Sequence, residues 1–79
     1  MKIRIEAYGF TIDNVLSDGK TLDLELSDVE SRSLDRLLET HLHLNTADKS
    51  VLVNGAYVSP NYAVRDGDLV QILRMIEGG

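Results

Sequence analysis

The last two residues of the sequence, Gly78 and Gly79, have the types and placement most suited to chemistry. A terminal carboxylate can be activated: one oxygen attacks a nucleotide phosphate, and a sulfur or nitrogen nucleophile then attacks the acyl adenylate. Glycine suits both steps, because it passes through a narrow channel, takes backbone angles closed to other residues, and leaves the carbonyl carbon unobstructed. Ile76, Glu77, Gly78 and Gly79 read as a tail that projects from a folded body, with residues 1–76 as one domain and 77–79 as the tail proper. The competing reading is a frayed end where flexible residues collect.

No other part of the chain offers comparable chemistry. There are no cysteines, which removes disulfides, thiolate metal sites and thiol catalysis. His41 and His43 are two apart on a helical pattern and point in different directions, whereas metal-binding pairs on helices favour spacings of three or four. The carboxylates show no pairing that suggests general acid and base work, and no glycine-rich loop opens a helix to cradle phosphate. The expectation is a chain with no catalytic residues, no metal and no bound cofactor, any ATP being held by a partner.

With 79 residues, the chain closes around one modest core. The composition, 43% apolar and 27% charged, is that of a globular domain, and a formal charge of −5 repels a phosphate backbone, so nucleic acid is not an expected partner. An acidic surface suits a basic protein partner instead. No apolar run approaches the roughly 18 residues of a membrane span, and the start has no signal-peptide pattern, so the expected location is the cytoplasm.

The elements that position the tail follow from periodicity. Ile3, Ile5 and Ala7 alternate with polar residues as a half-buried strand, and Leu22, Leu24 and Leu26 form a second, after a long connector from Gly9 to Lys20. Leu34, Leu37, Leu38 and Leu42 then fall at helical spacing, with Ser33 as N-cap, its hydroxyl expected to accept from a first-turn amide, and Asp35 at the positive end of the dipole. A third strand at Val51 to Val53 turns at Asn54-Gly55 into a short fourth at Ala56 to Val58. Pro60 ends it, and a turn at Asp66-Gly67-Asp68 launches a last strand from Leu69 to Met75. The order β-β-α-β-β-β predicts an α+β roll, a mixed sheet with one helix across one face and the last strand central, beside the first.

This order, the Val53-Asn54-Gly55 hairpin, the Asp66-Gly67-Asp68 turn and the terminal Gly78-Gly79 together resemble the ubiquitin-like sulfur carriers, namely the small subunit of molybdopterin synthase and the carrier of thiamine biosynthesis. The resemblance spans the chain, best from Val51 onward, and implies a β-grasp fold. It also implies that a ubiquitin-activating-type enzyme uses ATP to adenylate Gly79, that the terminus becomes a thiocarboxylate, and that a synthase accepts the sulfur. Arg74-Met75 stands where molybdopterin carriers often have prolines, and the long first connector departs from the thiamine carriers, so the pathway stays open between the two.

If Val70 and Ile72 face the helix, then Leu69, Gln71, Leu73 and Met75 lie on the open face of the sheet, among Arg4, Glu6, Asp23 and Glu25. Leu69, Leu73, Met75 and Ile76 are the expected partner-binding residues. Two other readings stand beside the carrier: a protein modifier joined to lysines through Gly79, and a non-catalytic binding subunit for which the glycines are incidental.

Overall fold

The computed structural model describes residues 1–28 and 32–74. Six elements follow in the expected order: β1 (Lys2–Tyr8), β2 (Thr21–Glu25), α1 (Leu34–Leu42), β3 (Lys49–Val53), β4 (Ala56–Tyr57) and β5 (Leu69–Arg74). They build one five-stranded sheet in the order β2-β1-β5-β3-β4. β5 lies in the middle, parallel to β1 and antiparallel to β3, while β2 and β4 are the edges.

Strand alternation decides what α1 covers. Ile3, Ile5 and Ala7 of β1 and Val70 and Ile72 of β5 are buried, and Leu34, Leu37, Leu38 and Leu42 of α1 are buried with them. The core therefore lies on one side of the sheet only, as the period-two and helical patterns require. The other side has no covering element among the described residues, and Lys2, Arg4 and Tyr8 of β1 are exposed.

The helix start departs from the expected cap. Ser33 is the N-cap residue with extended backbone, but its side chain makes no capping bond and its hydroxyl donates to Asp35 Oδ1. The first-turn amides are satisfied from farther along the chain: Leu34 N–H donates to the Tyr62 carbonyl at 2.9 Å and Asp35 N–H to the Pro60 carbonyl at 2.9 Å. Asp35 Oδ1 also accepts from Arg36 N–H at 2.8 Å, the acidic first-turn role expected of it. At the other end His43 adopts the left-handed conformation (φ 53°) and closes the helix by donating to the Glu39 carbonyl.

Asn54 (φ 52°) and Gly55 (φ 87°) take the two positive φ angles that the β3–β4 hairpin demands, confirming the Asn-Gly turn. The connector between β1 and β2 is less loose than its sequence suggests: Ile12 bridges Leu16, and Leu16 is buried against the core.

Asp68 also proves to be more than a turn residue. It is 5% exposed, and its carboxylate accepts from Asn54 Nδ2 (2.9 Å), Tyr62 Oη (3.0 Å) and Arg65 N–H (2.8 Å). One side chain thus ties the hairpin and the 60–65 loop to the position just before β5. Burial, reinforced by the bond to Asp68, raises the Tyr62 phenol above its ordinary pKa.

Candidate functional site

The site assembles from the open face of β5 and the point where that strand ends. In the β1–β5 ladder Leu69 stands opposite Arg4, Gln71 opposite Glu6 and Leu73 opposite Tyr8. On the other flank Gln71 faces Leu52 and Leu73 faces Ser50, and Leu52 in turn faces Tyr57 on β4. Register partners share a face, so Tyr57, Leu52, Leu69, Leu73 and Tyr8 place apolar surface around Gln71 and Glu6. Tyr57 is 74% exposed and Tyr8 39%, whereas Leu69, Leu73 and Leu52 are half-buried by their neighbours.

Polar groups on this face are organised in two units. Arg4 Nε donates to Asp23 Oδ1 at 2.8 Å, with a longer second contact from Nη2 to Oδ2 at 3.4 Å, and this pair holds the Asp23 carboxyl below its usual range. Glu6 Oε1 accepts from Tyr8 Oη at 2.8 Å and from Gln71 Nε2 at 3.0 Å. Gln71 first, then Tyr8, holds the Glu6 carboxyl below the ordinary carboxylate range, and the same bond raises the Tyr8 phenol.

A glycine lies against Arg74, the last described residue of β5. The β1–β5 ladder ends at the pair Tyr8 and Leu73, and Gly9 follows with φ +85°. A Cβ built on Gly9 would stand 3.2 Å from the Arg74 Cβ, so a side chain there would crowd Arg74 as well as sit at a positive φ. The Gly9 position is fixed from the connector, because its N–H donates to Asp18 Oδ1 at 2.8 Å while Gly19 N–H donates to the Ala7 carbonyl at 2.7 Å. Lys49, opposite Arg74 on β3, packs its ammonium 5.0 Å from the Phe10 ring centroid and 2.7 Å from Asp48 Oδ1.

The expected site residues divide accordingly. Leu69 and Leu73 lie on the open face as anticipated, and Arg4, Glu6 and Asp23 share it. Met75, Ile76, Glu77, Gly78 and Gly79 lie outside the described residues, so β5 is described only to Arg74. Sequence reasoning missed Tyr8, Leu52 and Tyr57 as part of the face. A strand of two residues gives too little alternation to orient Tyr57, and Leu52 sits in a run of consecutive apolar residues where period two cannot be read. Gly9 was legible only as a glycine in a connector.

His41 lies within α1 and His43 caps it, and among the described residues no cluster of three or more His, Asp or Glu side chains is arranged to hold a metal. No described helix is long and apolar enough to cross a membrane.

Comparison with known proteins adds the lineage. Residues 5–79 match the model of the ThiS family. Among solved structures, SAMP1 from Haloferax volcanii is similar at 16% identity with a TM-score of 0.65, covering all of both chains. A chain of the complex of subunits 1 and 2 of molybdopterin-converting factor from Helicobacter pylori is similar at 17% identity with a TM-score of 0.56, again over all of both chains. No curated protein sequence matches the chain. At these identities the structural likeness speaks for the fold, a mixed five-stranded β-grasp sheet with one helix.

Proposed function

From the premise that the chain belongs to the ThiS family of ubiquitin-like sulfur carriers, we propose that it carries sulfur on the carboxyl group of Gly79. In this reading an oxygen of the Gly79 carboxylate attacks the α-phosphate of ATP held by a ubiquitin-activating-type enzyme, and pyrophosphate leaves. A sulfur nucleophile then attacks the acyl carbon, AMP leaves, and the terminus becomes a thiocarboxylate that a synthase discharges. The chain itself acts as carrier and not as catalyst.

The observation that carries the proposal is the placement of β5. It is the central strand, hydrogen-bonded on both sides, and its last described residue, Arg74, passes Gly9 at the edge of the ladder five positions before Gly79. A strand fixed on both flanks gives whatever follows it a defined origin, which limits the entropy lost when an enzyme threads the end into its active site. The open face beside that exit offers Leu69, Leu73, Leu52 and Tyr57 as apolar contacts, and we assign Leu69, Leu73, Met75 and Ile76 to partner binding. The similarity to a chain from a two-subunit molybdopterin-converting factor supports a synthase subunit as one such partner.

The test is ATP–pyrophosphate exchange catalysed by the source organism's own adenylating enzyme. Exchange should require the full-length chain, vanish when Gly79 is deleted, and fall by at least about tenfold in Leu73→Asp, a change on a half-exposed position that leaves the core intact. Undiminished exchange in the deletion variant would refute the assignment of Gly79.

A further inference from the structure

The open face of β1, beside the central strand, holds a carboxylate that neutral donors orient and no described cation contacts. Both hydrogen bonds, from Tyr8 and Gln71, converge on one oxygen of Glu6, and among the described residues no donor reaches Oε2. Glu6 has no ion-pair partner among the described residues; of the two cations on its own strand, Lys2 stands at the first position and Arg4 is committed to Asp23 at 2.8 Å, reaching Glu6 only through space. Leu69 and Leu73 stand diagonally across from it on the adjacent strand β5, and Leu52 lies one strand further, opposite Gln71.

A partner that covers those leucines also removes water from Glu6. Burying an ionised carboxylate with no counter-charge is strongly unfavourable, and a partner that is apolar throughout would therefore be rejected. The two donors stabilise the charged form, so protonation is a poor escape. The net charge of −5 points the same way, to a cationic counterpart.

We propose that Glu6 is the charge anchor of the docking face: the adenylating partner presents an apolar surface with a cationic side chain at its centre, and that cation pairs with Glu6 Oε2. A guanidinium fits best, because its planar fork can engage Oε2 while its flat faces pack on the flanking leucines. Tyr8 and Gln71 are positioning residues, since they fix the plane of the carboxylate through the oxygen they occupy. The inference rests on the carrier reading and on the open face as the surface that meets the activating enzyme.

The experiment measures the KM for the carrier in pyrophosphate exchange with the organism's adenylating enzyme. Glu6→Gln keeps an acceptor for Tyr8 and Gln71 and removes only the charge. It should raise KM about 10- to 100-fold with kcat within about twofold, and should abolish most of the salt dependence of KM. Glu6→Asp, which keeps the charge, should recover most of the loss, and Glu6→Lys should eliminate measurable exchange. Thermal unfolding of each variant separates these effects from misfolding. An unchanged KM in Glu6→Gln alongside a raised KM in Leu73→Asp overturns the anchor and leaves the carrier reading standing. Absence of exchange with the unaltered chain removes the carrier reading and the anchor together.

Discussion

The first and last residues of β5 are held by opposite devices. At the first, Asp68 and Asn54 clamp the strand: the Asp68 carboxylate gathers three donors from two separate segments, and Asn54 Oδ1 accepts from Leu69 N–H at 3.0 Å. At the last, Arg74 meets the bare backbone of Gly9, and the space exists because a side chain is missing. The strand is thus anchored by polar satisfaction at one end and, at the other, packed against a residue that has no side chain. The first device fails when a carboxylate is lost, the second when bulk is added.

The largest effect should come from breaking the clamp. Asp68→Ala, at a residue 5% exposed, removes the shared acceptor of the Asn54 amide, the Tyr62 hydroxyl and the Arg65 N–H. We expect a loss of about 2–4 kcal/mol in urea unfolding. A loss under about 1 kcal/mol would show that water or a shifted loop replaces the carboxylate.

Next in size is the contact between Gly9 and Arg74. Gly9→Ala forces a side chain into positive φ and within 3.2 Å of the Arg74 Cβ, so about 1–2 kcal/mol of stability should be lost. Gly9→Ala should also slow adenylation more than its stability loss explains, whereas a milder clamp variant of equal stability, Tyr62→Phe, should not. Equal rates for the two variants would mean that the exit geometry carries no functional weight.

The smallest effect concerns pH. The carboxyls of Glu6, Asp23, Asp35 and Asp48 all have folded pKa values below their ordinary ones, through bonds from Gln71, Arg4, Ser33 and Lys49 respectively. A depressed folded pKa gives stability that is complete above the unfolded value and is lost as pH falls through the folded one. The melting temperature should therefore be flat from neutral pH down to the ordinary carboxylate range and decline below it, by little for each exposed group. The raised phenols of Tyr8 and Tyr62 have the opposite sign, present below the ordinary tyrosine pKa and lost as pH rises above it. A melting temperature that rises on acidification would contradict this.

Much of the fold was legible because the decisive signals are local. The alternation of Ile3, Ile5 and Ala7, the helical spacing of Leu34 to Leu42, and the paired positive φ angles of Asn54 and Gly55 each need only a few neighbouring residues. What was not legible depends on residues far apart in the chain. The helix start is completed by carbonyls at Pro60 and Tyr62, so a local reading assigned the work to the Ser33 hydroxyl. Asp68 looks like any turn aspartate until Asn54 and Tyr62 are brought to it, and the bond from Gln71 to Glu6 joins positions 65 apart. On the candidate site, strand alternation located Leu69 and Leu73 correctly, while Gly9 gained its meaning only from the approach of Arg74.

The central claim is that the Gly79 carboxyl group is charged with sulfur, and intact mass spectrometry reads it most directly. After incubation of the full chain with ATP, a sulfide source and the organism's adenylating enzyme, the mass should rise by the difference between one sulfur and one oxygen, with no rise when Gly79 is deleted. A chain that is activated and discharged in its pathway while its mass never shows that exchange would contradict the account.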